Sequence, residues 1–388
     1  MQAVEIRKDI YWVGAIDWSM RSFHGYETSR GSSYNAYLIL DEKITLIDTV
    51  KEPFKEELLE RIASVIDPAK IDYIVSSHVE PDHSGAIPFM MQHCPNAKII
   101  TSLPNGLKGL KAHYGELPYI GVKAGDTLSI GQRTLQFIPT PMLHWPDSMV
   151  TYCPEETILF SNDAFGQHLA SGCRYDDDND LPTLFFEAKK YYANILMLYG
   201  RQAQAALKAL HDLDISMIAT GHGLIWRSHV KEILHLYQEW STGKLEDRAV
   251  VVFDTMWHST EMMARAITEA FQQKGIPAIF YDVKENALSD ILTEILTSKY
   301  LAVGSPTINN QMLPTIASFL CYLKGLAPKG RKAFAFGSYG WGGQSIGLVE
   351  EELKAAGCEI VLEKQRQANV PSAEDLQKLT AAVQAICK

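Results

Sequence analysis

The chain has 388 residues, more than one hydrophobic core usually organises, so two domains are expected. Its 36 basic and 46 acidic residues leave a formal charge of −10 with no Lys/Arg cluster, which argues against nucleic acid as a partner. No apolar run is long enough to span a bilayer, and the start MQAVEIRKDIYWVG lacks the layout of a secretory leader, so a soluble cytoplasmic protein with no membrane partner is expected.

In chain order, YNAYLIL and ITLIDTV sit a turn apart, as the arms of a hairpin would. DYIVSSH and TILFSND then read as strands that end in polar residues where each apolar run stops. The charge run Asp176 to Asp180 lacks the glycine and spaced ligands of a calcium loop and reads as a solvated loop. A helical segment is predicted from about Thr183 to His211, and another after Trp226. Sheets flanked by helices imply an α/β layer protein.

The small and charged segment STGKLEDR, Ser241 to Arg248, breaks this pattern, and the boundary is placed within it, giving domains 1–246 and 247–388. Beyond it AVVVFD, AIFYDV, YLAVGS, KAFAFGS and CEIVLE recur as short apolar strands, each followed by a helical stretch. That rhythm predicts a doubly wound parallel sheet. The six cysteines are scattered, with no C-x-x-C pair to suggest a zinc, iron–sulfur or rubredoxin-type site.

The densest chemical signal is HVEPDH, which places His78, Glu80, Asp82 and His83 at the end of an apolar strand. Carboxylates and imidazoles crowded at a cleft repel or stay unsatisfied unless a cation is present. His144 in PMLHWPDS, Asp163 in LFSNDAF and His222 in IATGHG each follow a further apolar run. Together the seven resemble the metallo-β-lactamase superfamily layout, whose first motif is H-x-H-x-D-H. Glu80 stands where the hydrolases carry their second histidine. Zinc tolerates both donors, but mixed imidazole and carboxylate ligation also suits iron and favours a diiron over a dizinc centre.

In the second half FDTMWHST offers the hydroxyls of Thr255, Ser259 and Thr260, and the loop Met256–Trp257–His258, where a strand becomes a helix: a cradle for a phosphate. Neither the ATP nor the dinucleotide glycine pattern is present, which leaves FMN. GSPTINNQ adds Ser305, Pro306, Thr307, Asn309 and Asn310, and FGSYGWGGQS adds Ser338, Tyr339, Gly340, Trp341, Gly342 and Gly343, aromatic faces among glycines that suit a flat isoalloxazine ring.

H-x-E-x-D-H with three later ligands, followed by a flavodoxin-like half, resembles the flavodiiron proteins over essentially the whole chain. The resemblance implies a metallo-β-lactamase-like αββα sandwich followed by a flavodoxin-like sheet. It implies one iron held by His78, Glu80 and His144, the other by Asp82, His83 and His222, and Asp163 bridging. In some members the histidine matching His83 is displaced from its metal. His24 in FHGYE, His168 in FGQH and Tyr192 in KYYAN are candidates to orient ligands or to donate to bound oxygen.

The implied activity is reduction of dioxygen to water or nitric oxide to nitrous oxide, with electrons passing through FMN in a head-to-tail homodimer or dimer of dimers. The chain ends at Lys388, so no appended rubredoxin or flavin reductase module is expected. An external rubredoxin is the implied donor, with a reduced deazaflavin as the alternative. A dizinc hydrolase and an electron carrier with a structural metal site are the competing readings.

Overall fold

The computed structural model describes residues 1–387, which form two compact units: residues 1–191 with 201–238, and residues 192–200 with 239 onward. The first unit is built on two sheets. Seven strands run in the order Val4–Arg7, Ile10–Trp12, Tyr37–Ile39, Thr45–Ile47, Tyr73–Ser76, Lys98–Ser102, Tyr119–Val122. Five run Thr127–Ser129, Thr134–Pro139, Met149–Cys153, Ile158–Asn162, Met217–Thr220. The expected hairpin is present, Tyr37–Ile39 pairing antiparallel with Thr45–Ile47.

The period-two alternation of strands explains the layering. Tyr37, Ile39, Ile47, Val75 and Ile100 point inward and share one core with Phe137, Met149, Ile158, Phe160 and Met217 of the second sheet. Leu38, Leu46 and Ile74 point the other way, onto Leu58 and Ile62 of the helix Lys55–Ala63 and Met90 of the helix Ile87–His93. Polar residues that follow these strands therefore gather at one end of the sandwich.

The predicted helix from Thr183 to His211 is interrupted. A helix covers Leu181–Tyr191, a π turn Tyr192–Leu196 and a short 3₁₀ turn Met197–Tyr199 follow, and the helix Gly200–Leu210 resumes. The interruption exists because residues 192–200 belong to the second unit: Asn194 donates to the Ser289 carbonyl at 3.1 Å, accepts from Tyr322 at 2.7 Å, and Met197 packs on that unit's core. Gly200 permits the return, because a β-carbon there would meet the Ser241 carbonyl oxygen at 2.8 Å.

The Asp176 to Asp180 run is not simply a solvated loop. Asp176 is fully buried and accepts the backbone N–H groups of Arg227, Ser228 and His229, just ahead of the helix Val230–Thr242, while Asp177 pairs with Arg227 at 2.8 Å. It acts as a helix start of the kind a carboxylate favours.

The second unit is a parallel sheet in the order Ala278–Asp282, Glu246–Phe253, Ser298–Gly304, Lys332–Tyr339, with both Glu359–Ile360 and Gln365–Ala368 pairing on the last. CEIVLE, expected as one strand, contributes only Glu359–Ile360 before the ladder resumes at Gln365. Val250 and Val252 face Ile291, Leu320 and Val349 on one side, while Ala249, Val251 and Phe253 face Ile267, Phe271 and Val383 on the other. Helices on both faces leave the carboxyl ends of the strands as the open edge where such sheets bind ligands. No helix among the described residues is long and apolar enough to cross a membrane.

Candidate metal centre and flavin pocket

The structure brings all seven predicted ligand residues together at the strand ends of the first unit, each no more than 9% exposed. Pro81 opens the short helix Pro81–Ser84, which presents Asp82 and His83; His78 and Glu80 precede it. His144, Asp163 and His222 follow the strands ending at Pro139, Asn162 and Thr220. Two clusters result: His78, Glu80, His144 and Asp163, and Asp82, His83 and His222, the ligand atoms of each lying within 4.8 Å of one another.

Asp163 faces both. Its Oδ2 lies 3.2 Å from His144 Nε2 and 3.6 Å from His78 Nε2, and its Oδ1 lies 2.8 Å from His83 Nε2 and 3.4 Å from His222 Nε2. Glu80 Oε2 sits 3.2 Å from the Nε2 atoms of both His78 and His144, and Asp82 Oδ2 sits 3.1 Å from His222 Nε2.

Both carboxylate oxygens of Asp82 and of Asp163, both ring nitrogens of His83, and His222 Nε2 are buried with no hydrogen-bond partner. Leaving that many buried polar atoms unsatisfied is strongly unfavourable, and cations at the two clusters would satisfy them, so the residues fit a binuclear centre. The electrostatics agree. Burial opposes charge on the His144 and His222 rings, but the adjoining carboxylates, Asp163 with Glu80 or Asp82, push them up to about 9 and about 10. The carboxylates of Asp82 and Asp163 are buried, which favours the neutral form, yet neighbouring imidazoles hold both below the usual range. A bound metal takes the place of those ring protons.

Outer contacts aim the ligands. His78 Nδ1 donates to Asp147 Oδ2 at 2.9 Å, which also accepts the Val79 N–H at 2.7 Å; His222 Nδ1 donates to the Ser33 carbonyl at 2.7 Å. Each bond fixes the tautomer that turns an Nε2 lone pair inward. Asn35 grips the His222 loop through the carbonyls of Thr220, Gly221 and Gly223, and Asp48 accepts from the Ser77 N–H and Asn162 Nδ2. Gly221 in this loop has no room for a side chain, since a β-carbon would meet both the Asn162 carbonyl carbon and His83 Cε1 at 2.9 Å.

Of the predicted accessory residues, His24 reaches Glu80 Oε1 through Nε2 from the tip of the hairpin Ser22–Phe23/Tyr26–Glu27, and the contact raises its pKa. His168 is buried beside His222 with ring centroids 4.8 Å apart; its Nδ1 meets Ser32 Oγ at 2.7 Å and its Nε2 has no partner. Tyr192 does not join this group: its ring packs on Trp240 at 5.3 Å within the second unit. The preceding residue does. Tyr191 lies 5.1 Å from the His168 ring and 6.2 Å from the His222 ring, with a buried hydroxyl that has no hydrogen-bond partner.

In the second unit, neighbouring cavities of ≈ 250 and ≈ 180 Å³ share Thr307 and Gly340 at the carboxyl edge of the sheet. Met256, Trp257, Ser259, Pro306, Ser338 and Tyr339 line the larger, with Asn369 and Val370, which the sequence reading missed. Asn309, Asn310, Trp341 and Gly342 line the smaller. Trp257 and Trp341 are 85% and 97% exposed, free to flank a planar ring.

The helix Ser259–Gln273 starts at the loop, and Thr255 Oγ1 beside it is buried with no partner, as expected of a hydroxyl that awaits a phosphate oxygen. These features fit FMN. Thr260 is fully buried with its hydroxyl 2.9 Å from Ser338 Oγ, and His258 turns away to Glu261 at 2.9 Å. Ser305 lies outside both cavities: its hydroxyl accepts the Leu313 N–H and donates to the Pro306 carbonyl, so it builds the loop. Gly343 packs on Tyr339 and is not among the lining residues.

Residues 33–223 match a family model described as ODP family beta lactamase, and residues 251–382 one described as flavodoxin. A nitric oxide reductase of Moorella thermoacetica is 45% identical over 384 residues, 97% of this chain and 96% of that protein. The solved structure of a rubredoxin oxygen:oxidoreductase from Desulfovibrio gigas is 42% identical, with a TM-score of 0.97 over 100% of this chain and 98% of that one. The crystal structure of a flavodiiron protein from Giardia intestinalis is 36% identical, with a TM-score of 0.97 over 100% of this chain and 96% of that one.

Proposed function

The chain belongs to the flavodiiron protein family, and from that premise we propose that it reduces dioxygen to water or nitric oxide to nitrous oxide, using two iron ions, FMN and an external rubredoxin-type donor. The observation that carries this reading is Asp163, whose two oxygens face two separate ligand clusters, together with Glu80, whose carboxylate stands where the hydrolases carry a second histidine and turns a nitrogen-rich site toward oxygen ligands. One iron is assigned to His78, Glu80 and His144, the other to Asp82, His83 and His222. Bound there, iron would supply the redox chemistry toward the gas, and FMN held by the loops of the second unit would supply one- and two-electron transfer.

The protein's own groups shape the pocket around that chemistry. Asp147 and the Ser33 carbonyl hold His78 and His222 with Nε2 inward. Burial, reinforced by His222, pushes His168 well down, so its ring is neutral; burial and the Asp163 charge push Tyr191 well up, so its hydroxyl keeps its proton. Tyr191 Oη is thus a proton-bearing donor beside the Asp82–His222 half of the pocket, and we assign it, with His168, the role first expected of Tyr192. His24 covers the Glu80 side.

We place the protein in the cytoplasm as a head-to-tail homodimer or dimer of dimers. The exposed apolar side chains of Trp257, Trp341 and Val370 around the flavin cavities supply a rim for such a contact. The function is tested by steady-state turnover of iron- and FMN-loaded protein with each gas and a rubredoxin donor, with a reduced deazaflavin in parallel. Gas consumption with donor oxidation is expected. No oxidation by either gas, with stoichiometric zinc and ester or lactam hydrolysis, would replace it with the dizinc hydrolase.

A further inference from the structure

Beneath the loop assigned to the flavin phosphate lies a buried carboxylate. Asp254, 3% exposed, directly follows the strand Glu246–Phe253. Its Oδ1 accepts the Thr255 N–H at 2.5 Å, and its Oδ2 accepts from the Thr315 hydroxyl. A fixed negative charge at the base of a loop that must hold a phosphate opposes binding, and in a buried setting it is poorly screened.

The opposing charge comes from Lys284, just beyond the neighbouring strand Ala278–Asp282. Its Nζ lies 2.8 Å from Asp254 Oδ1 and donates to the Thr255 carbonyl, also at 2.8 Å. The hydrogen bond to Asp254 raises the lysine pKa, so the ammonium stays charged. One cation therefore holds both the carboxylate and the backbone of the residue whose buried hydroxyl has no partner.

We propose that Lys284 is a positioning residue for the FMN phosphate: it neutralises Asp254 and, by holding the Thr255 carbonyl, sets the Thr255 hydroxyl toward the phosphate. This rests on the reading of these loops as an FMN site. Lys284 contacts the loop and is not among the residues that line either cavity, so its effect belongs to ligands that carry the phosphate.

The test is titration of flavin-free protein with FMN and with riboflavin, followed by quenching of flavin fluorescence, for the natural chain, K284M, D254N and the double variant. K284M should raise the FMN dissociation constant about 10- to 100-fold and leave riboflavin binding unchanged. The double variant should bind FMN more tightly than K284M but less tightly than the natural chain, because removing the Asp254 charge restores the electrostatics while the Thr255 carbonyl stays unheld. D254N alone should bind FMN at least as tightly as the natural chain, an arm that holds even if K284M does not fold.

Unchanged FMN affinity in K284M, equal losses for FMN and riboflavin, a double variant as weak as K284M, or weaker binding in D254N would each overturn the proposal. A natural chain that binds no FMN would defeat the flavin reading itself, a different outcome from a binding chain indifferent to Lys284.

Discussion

The seven residues of the metal pocket are at most 9% exposed and turn their charges inward, whereas the flavin cavities are rimmed by Trp257 and Trp341 at 85% and 97% exposed and have no carboxylate among their lining residues. The first site is a buried cluster of opposite charges, each compensated only by the others. The second is an open edge of loops with backbone groups, hydroxyls and aromatic faces. The difference teaches where each site is fragile: deleting one charge from the metal pocket strands its neighbours, while trimming one side chain from the flavin edge removes only that contact.

The largest effect is expected at Asp163. D163A removes the carboxylate that faces both clusters and should abolish binuclear iron binding and gas turnover, with a loss of about 3–5 kcal/mol in stability. Iron analysis and thermal unfolding check this, and retention of two irons per chain would break the contrast. FMN binding should survive, because its loops lie in the other unit.

Next in size is a pH dependence confined to the metal-free protein. His144 and His222 have folded-state values of about 9 and about 10, above the ordinary histidine value of 6.5. The stability they contribute is fully present below about pH 6.5 and is lost as pH rises through about 9 to 10. Chelator-treated protein should therefore weaken over that window in denaturant titrations. Iron-loaded protein should not, since its ligated rings are already neutral.

Much of this was legible in the sequence because dense chemistry leaves a dense signal. Four donors within HVEPDH, and three more after apolar runs, suffice to locate the pocket. The groups that orient them are harder to read. Asp147, Asp48 and Asn35 act through contacts such as Asp147 to His78 and Asn35 to the Thr220 carbonyl, which link residues far apart in the chain. Tyr191 and Tyr192 are adjacent and chemically identical, and a step of one residue on a helix rotates the side chain by about 100°; only the packing decides which ring meets His168. The break at residues 192–200 was invisible because its apolar residues suit a continuous helix equally well and their partners, such as Ser289 and Tyr322, come from far along the chain in the second unit. Asp176 read as solvent-exposed for the same reason, its partners being the amides of residues 227–229.

That one-residue choice gives the third prediction. Y191F should lower turnover by about 10- to 100-fold through loss of one buried donor, with iron and FMN content unchanged, and Y192F should leave turnover close to that of the natural chain. The reverse ranking would return the role to Tyr192. The smallest effect is expected at the flavin edge: W341A should weaken FMN binding by about tenfold or less, as loss of one aromatic contact does, without altering iron content.

Asp163, facing both ligand clusters, is placed to be shared by two metals. Mössbauer and EPR spectroscopy of the anaerobically iron-loaded natural chain tests that sharing. Two irons per chain, magnetically coupled, with the coupling lost in D163A, are predicted. A single uncoupled iron, or two irons whose coupling persists without Asp163, would contradict it.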